Sequence, residues 1–397
     1  MTIGLIMRIL HVIPQFAYFG GRTIIGGHAS CLLSLSLAQH RAGEEVTILS
    51  YMAGHAGARQ IDDGPTAYSL FPDAKTRTVR FGLQFCRAAL EWLRPRRSSF
   101  DVVHVHSGYA DYFLVSGRIK SNIGLPTLHT MYCPIPTRGG RWRLPGVHGL
   151  IRRWAGRLDW RGGISDNVAA SMTDFGMRDV GRIRPALDLD RFSAPDDAAV
   201  IRKELGLSRD DLVILFVGNA KPQKNASGVL RALHQLRLEF PNVKLVITTE
   251  LKHSSSDSDL ARLANEVRDL NLESCIVQKG IVKNMPMLMH ASDVLVAPFL
   301  DSFGPSDYFM AAIEAMACGK PVVVSNVGGM PEVVSDDVGQ LVDPFDANSI
   351  AAGLRIYLAD EPLRLQTGAR ARANAERYFN PSKVVDAYQN VYRRITS

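Results

Sequence analysis

The 397-residue sequence lacks any apolar run approaching the eighteen or so residues of a membrane span, which excludes a transmembrane helix. Cysteine is scarce and scattered. Cys31, Cys86, Cys133, Cys275 and Cys318 make no C-x-x-C pair, so neither a zinc site nor a disulfide framework is supported. No metal and no tightly held cofactor are expected. No G-x-G-x-x-G follows the first apolar segment, which argues against a dinucleotide oxidoreductase. No low-complexity tract, short-period repeat or recognisable nucleic-acid module is present, and nucleic acid is not an expected partner. The start, MTIGLIMRILHVIP, carries Arg8 in its middle and has no cleavage-site pattern. It reads as a first buried strand, with Met7 as an alternative start, and the cytosol is the default compartment.

What is present is the make-up of a folded enzyme. Hydrophobic residues are 46% and charged residues 21%, values that argue against disorder, and the length allows two or three domains. Strands and helices alternate twice over. Arg8–Ile13, Val46–Ser50, Val102–His106 and Pro126–His129 read as strands, with helices over Ala29–Arg41 and Leu83–Leu93. A second series of strands covers Leu212–Val217, Val243–Thr248, Ile276–Gln278, Val294–Pro298 and Pro321–Ser325. Helices over Ala226–Glu239, Ser258–Leu270, Met285–Ala291 and Ala311–Ala317 separate them. Such alternation predicts an α/β class with two doubly wound, Rossmann-like parallel-sheet domains across a cleft, joined at Pro185–Pro195.

Charge is unevenly shared. Residues 1–190 hold 23 Lys and Arg against 14 Asp and Glu, a balance of +9, while residues 191–397 hold 23 against 25, a balance of −2. The densest basic stretch is Arg138–Arg161, interleaved with Trp142, Trp154 and Trp160. Arginine beside tryptophan suits peripheral contact with an anionic membrane or a site for an acidic acceptor. A solvated helix with its tryptophans packed inward is the equal alternative.

The most informative stretch is Asp301–Val334, DSFGPSDYFMAAIEAMACGKPVVVSNVGGMPEVV. A small-residue helix carries one carboxylate, Glu314, on an otherwise apolar surface. Gly319 and Pro321 end it before a short buried strand. Backbone N–H groups at the helix start can face phosphate, and the lone carboxylate can accept two hydroxyl donors. The pattern suits a polyhydroxylated, phosphate-bearing ligand.

Ala315–Val323, AMACGKPVV, followed by Gly328, Gly329, Pro331 and Glu332, resembles the signature of the family 4 retaining glycosyltransferases. These are GT-B, group 1-type enzymes that use nucleotide sugars. MRILHVIPQF, the Gly26–His28 loop, Asp101–His106, Ile164–Met172, Leu187–Phe192 and Phe216–Asn225 match further family segments in order, so the resemblance covers nearly the whole chain. It implies a GT-B fold with an N-terminal acceptor-binding domain over 1–186. A C-terminal donor-binding domain over 187–379 follows, and a final helix within 380–397 crosses back. It also implies a metal-independent, same-face transfer of a hexose-type sugar. UDP-sugars are the favoured donor and GDP-sugars the next; the acceptor is a glycan, a lipid-linked glycan or a small molecule.

The same resemblance assigns residues. Glu314 would hold the nucleotide ribose, and Gly26 and Gly27 would let the backbone approach the diphosphate. Lys224 would be the phosphate-clamping cation, with the backbone at Phe309, Met310 and Ala311 supplying dipoles. Three positions depart from the pattern. Asn219 stands where the family has Arg, with Lys221 as a candidate substitute. Ser306 stands where the family has the sugar-gripping Glu, with Asp307 as the carboxylate that could reach the same hydroxyls. Tyr132 stands where the family often has His. His106 and Tyr132 are expected near the donor sugar, with one of His104 and His106 toward the cleft and the other toward the interior. Lys224, Asp307, His106 and Tyr132 are thus the expected catalytic group. The departures keep open a catalytically silent GT-B module that binds a nucleotide sugar without transfer, or a partner subunit, and an epimerase or hydrolase on the same scaffold.

Overall fold

The computed structural model describes the chain except residues 1–5, 21–22, 74–78, 137–140, 194–197, 250–257, 281, 283 and 304–305. The chain divides into two compact units. The first is Met1–Asp188, Phe303–Asp307 and Phe379–Ser397; the second is Leu189–Ser302 and Tyr308–Tyr378.

In chain order the first unit contains strands β1 (Arg8–Val12), β2 (Ala17–Gly20), β3 (Thr23–Ile25), β4 (Glu45–Ser50), β5 (Gly57–Gln60) and β6 (Thr66–Ser69). These are followed by β7 (Val102–Ser107), β8 (Thr127–Met131), β9 (Trp160–Gly163) and β10 (Val180–Arg182). Eight of them form one sheet in the order β10-β9-β8-β7-β1-β4-β6-β5, while β2 and β3 pair as an antiparallel ribbon. Only β5 runs against its neighbour in the large sheet. The chain leaves β1 toward β4 and then crosses back to β7, so the topological switch lies between β1 and β7. The helix Pro381–Thr396 packs on this unit, with Tyr388, Val391 and Tyr392 buried among Ile9, Leu35, Val102 and Leu128.

The second unit contains β11 (Leu212–Phe216), β12 (Val243–Ile247), β13 (Ile276–Gln278), β14 (Val294–Ala297), β15 (Val322–Ser325) and β16 (Gly339–Val342). The order is β13-β12-β11-β14-β15-β16, and every pair is parallel. Here the switch lies between β11 and β14. The strands are near-continuous runs of Val, Ile and Leu, which is what burial on both faces requires.

Helix ends follow local chemistry. Asn225, at φ 55°, caps Ala226–Leu236 by accepting from the Gly228 N–H, and its amide donates to the carbonyls of Pro298 and Pro344. Gly319, at φ 70°, closes Met310–Ala317. Its N–H donates to the Met316 carbonyl while Lys320 N–H donates to the Ala315 carbonyl, a Schellman end that the sequence foretells. The predicted elements are all present, with ends shifted by a few residues. Unforeseen were the strands β2, β3, β5, β6, β9, β10 and β16, and helices including Phe113–Ile123, Ala347–Ala359 and Glu361–Phe379.

Candidate active site

The second unit assembles its polar groups at its switch point, the place where open parallel sheets leave a crevice beyond the strand carboxyl ends. The turn Pro222–Lys224 follows β11, and Phe299 follows β14. Leu300 N–H donates to the Gln223 carbonyl at 2.9 Å, tying the two loops together. The Lys224 Nζ lies 3.8 Å from the centre of the Phe299 ring, and that ring is 4.4 Å from the ring of Phe309. Phe309 begins the helix Met310–Ala317, which no side chain caps. Its leading N–H end therefore suits an anion. One cation, one aromatic wall and one helix N-terminus are thereby linked through Phe299, a residue the sequence reading did not single out.

Glu314 lies half-buried on the same helix. Burial first, and the Glu314 charge second, push the Cys318 thiol up to about 12, so that cysteine stays protonated. Glu332 accepts from the hydroxyl of the fully buried Tyr308 at 2.7 Å, which gives this second acid of the block a partner within its own unit. Asn219 is exposed, and its side-chain oxygen accepts from Lys221 N–H at 3.1 Å. Lys221 reaches outward to Asp259 at 3.2 Å.

In the first unit, Gly26 adopts φ 104°, a conformation that favours glycine, and opens the helix Gly27–Arg41. Behind this loop the switch point is occupied by histidines. His104 and His106 are both fully buried on one face of β7, their ring centroids 3.9 Å apart. The expectation that one faced a cleft and the other the interior is corrected. Residues two apart on a strand share a face.

A run of hydrogen bonds passes through these rings. Burial holds His11 down to about 4, and pushes His104 and His106 well below the usual imidazole range, so all three are neutral. His11 Nε2 donates to the Gln39 side-chain oxygen at 2.7 Å, which leaves His11 Nδ1 to accept from His106 Nε2 at 2.9 Å. His106 Nδ1 then accepts from the Tyr132 hydroxyl at 3.1 Å. In the other direction the Gln39 amide donates to the Tyr392 hydroxyl at 3.2 Å. That phenol donates to His104 Nδ1 at 2.8 Å, and His104 Nε2 donates to Thr130 Oγ1 at 2.8 Å. Thr130 ends the run on the Tyr388 hydroxyl at 3.1 Å. The three rings are also close enough for their nitrogens to surround a metal ion, within 4.8 Å of one another, but every nitrogen is committed to this run. Tyr132, itself buried, thus turns its hydroxyl inward.

Asp307 is also fully buried. Ser165 donates to one carboxylate oxygen, and Asn167 donates to the other at 2.7 Å. Ser165 is the cap of the helix Asp166–Asp174, accepting from Val168 N–H. The Asp307 N–H donates to the Tyr132 carbonyl at 2.8 Å. The neighbouring Ser306 Oγ is buried with no hydrogen-bond partner among the described residues. The sequence proposes Asp307 as a sugar-gripping carboxylate; the structure engages both its oxygens within the first unit.

Two family models match the chain: "Glycosyltransferase Family 4" over residues 25–191 and "Glycosyl transferases group 1" over residues 197–374. The D-inositol 3-phosphate glycosyltransferase 2 of Catenulispora acidiphila is 31% identical over 327 residues, covering 74% of this chain and 71% of that protein. The chain belongs to this glycosyltransferase family. Among solved structures, the sucrose-phosphate synthase from Thermosynechococcus elongatus superposes with a TM-score of 0.81 at 20% identity, covering 98% of this chain and 99% of the other. Anabaena HepE in complex with UDP-glucose gives 0.74 at 17% identity, covering 98% and 99%. These likenesses fix the fold as GT-B.

The basic segment of this glycosyltransferase is only partly as expected. Arg138 lies outside the described residues. Trp142 is buried against Tyr109 and Phe303, and Trp160 is buried beside Tyr388. Trp154 is half-buried, with the Arg157 guanidinium 4.1 Å from its ring centre. The tryptophans are therefore packed inward, while Arg152, Arg153 and Arg157 stay exposed. Among the described residues no helix is long and apolar enough to cross a membrane.

Proposed function

We propose that this glycosyltransferase moves a hexose from a nucleoside-diphosphate sugar, with UDP favoured over GDP, onto an anionic hydroxylated acceptor. The observation that carries the reading is the Lys224–Phe299–Phe309 assembly at the switch point of the second sheet, with Glu314 on the helix that Phe309 begins. Lys224 and the N–H end of that helix suit the diphosphate, where negative charge grows as the sugar leaves. Glu314 suits paired hydroxyls of a ribose. In the first unit the Gly26–Gly27 backbone suits close approach of phosphate.

With cations and dipoles stabilising the leaving diphosphate, the departing phosphate oxygen can take the acceptor proton on the same face. This retaining course needs no metal and no dedicated base. HepE is described with UDP-glucose, which supports the donor class. The Catenulispora relative is named for inositol phosphate, and the +9 balance of residues 1–190 favours an acceptor that carries negative charge.

The test is calorimetry with UDP-, GDP- and ADP-sugars on the parent and a Glu314→Ala variant. Loss of a charge-assisted hydrogen bond costs about 1.5–3 kcal/mol, roughly tenfold to more than a hundredfold in affinity. Selective binding lost in the variant supports the reading. Unchanged affinity in the variant removes Glu314 from the site, and no binding by the parent returns the alternative of a silent partner subunit.

A further inference from the structure

The polar run through His11, His104 and His106 has one arrangement of protons. The rings are neutral, Gln39 presents an acceptor to His11 and a donor to Tyr392, and a buried phenol must place its own hydrogen. Each ring then carries its proton on Nε2 and accepts on Nδ1. One end of the run is the helix Pro381–Thr396, through Tyr388 and Tyr392; the other is Tyr132. Tyr132 in turn touches both first-unit segments assigned to the donor. Its ring centroid lies 6.2 Å from that of His28, next to Gly26 and Gly27. Its carbonyl accepts the Asp307 N–H, beside Ser306.

A buried string with a fixed direction transmits position, because no member can rotate without leaving another unpaired in a medium that penalises it. We propose that the helix Pro381–Thr396 positions Tyr132, and through it the Ser306–Asp307 backbone, by way of this directed hydrogen-bond run. Gln39, His104 and Tyr392 are then positioning residues for glycosyl transfer. The inference rests on the proposed function and adds a remote helix to the machinery of that site.

Two measurements test it on the full-length protein. Long-range ¹H–¹⁵N spectra of the histidines should show His11, His104 and His106 all as Nε2–H tautomers at pH 7.5. Protons on Nδ1 would reverse the run and overturn its direction. In steady-state transfer assays held well below every variant's melting point, Tyr392→Phe should lower kcat about tenfold and raise the donor KM a few-fold. Tyr132→Phe should do the same, and the double variant should be no worse than the weaker single enzyme. Parental kcat and KM in Tyr392→Phe, or losses that multiply in the double variant, would leave Tyr392 as a core residue only. A parent enzyme that binds no nucleotide sugar defeats the proposed function and this role together. A parent that transfers sugar and is matched by Tyr392→Phe defeats the positioning role alone.

Discussion

The two sheets share a winding scheme but fill their switch points with different chemistry. In the second unit the central strands β11 and β14 are Leu-Val-Ile-Leu-Phe and Val-Leu-Val-Ala, an apolar pair whose polar groups begin only in the loops beyond. In the first unit the equivalent strands β1 and β7 carry His11, His104 and His106 inside the core. A dry sheet is specified by volume and pattern and leaves its loops free to bind. A sheet with buried imidazoles is specified by directed hydrogen bonds, and these also fasten the C-terminal helix in one register.

Acid should separate the two units most sharply. Burial holds His11 at about 4 and His129 at about 3, and drives His104 and His106 well down, whereas an unfolded imidazole titrates near 6.5. Their folded values lie below their unfolded ones, so the unfolded state binds more protons as pH falls. The first unit should have its full stability above about pH 6.5 and lose it on the way to pH 4. The slope approaches about 1.4 kcal/mol per pH unit for each imidazole, about 3 kcal/mol from His11 alone across that window. All four tryptophans lie in the first unit, so intrinsic tryptophan fluorescence reports on it selectively. Denaturant midpoints by fluorescence that stay flat from pH 7 to 4.5 would mean the rings are not held neutral.

The second unit has its own buried charge, but at the rim of the sheet. Asp293 accepts from Val213 N–H at 2.7 Å and from Arg202 at 2.9 Å, and Arg364 lies 3.8 Å away. These side chains are only 10–18% exposed. Asp293→Ala would strand two guanidiniums in a confined site and should cost about 3 kcal/mol. Hydrogen exchange should place the loss in β11 and β14. A replacement that costs nothing would show that solvent already compensates the arginines.

Legibility in the sequence follows the same division. The second unit was readable almost strand by strand, because its strands are short apolar runs and its block AMACGKPVV carries a family signature. Glu314, Lys224 and Phe309 lie on elements the pattern defines, so their placement on the switch-point loops and helix follows from the sequence. The first unit was harder. Gln39, Tyr388 and Tyr392 look like ordinary positions on amphipathic helices. Only the fold brings Tyr392 to His104, residues 288 positions apart in sequence. The partners of Asp307 were hidden for the same reason, since Ser165 lies 142 positions away. Even the shared face of His104 and His106 was available from strand geometry and was misread.

The smallest expected effect tests which lysine of the second unit serves the ligand. Lys221 and Lys224 flank one short turn, and charge alone does not choose between them. Lys221 has a side chain 59% exposed and pairs with Asp259, which places it on the solvent side. Lys224 is half-buried over Phe299, one ring removed from the helix that begins at Phe309. A screened surface ion pair contributes about 1 kcal/mol or less, so Lys221→Ala should shift stability by under about 0.5 kcal/mol and leave donor affinity within about twofold. Lys224→Ala should weaken donor binding more than about tenfold if, as proposed, its charge faces the diphosphate. Calorimetry with the same nucleotide sugar reads both. If Lys221→Ala proves the more damaging, the diphosphate lies on the outer side of the turn. The polar groups beyond β11 and β14 would then have to be reassigned.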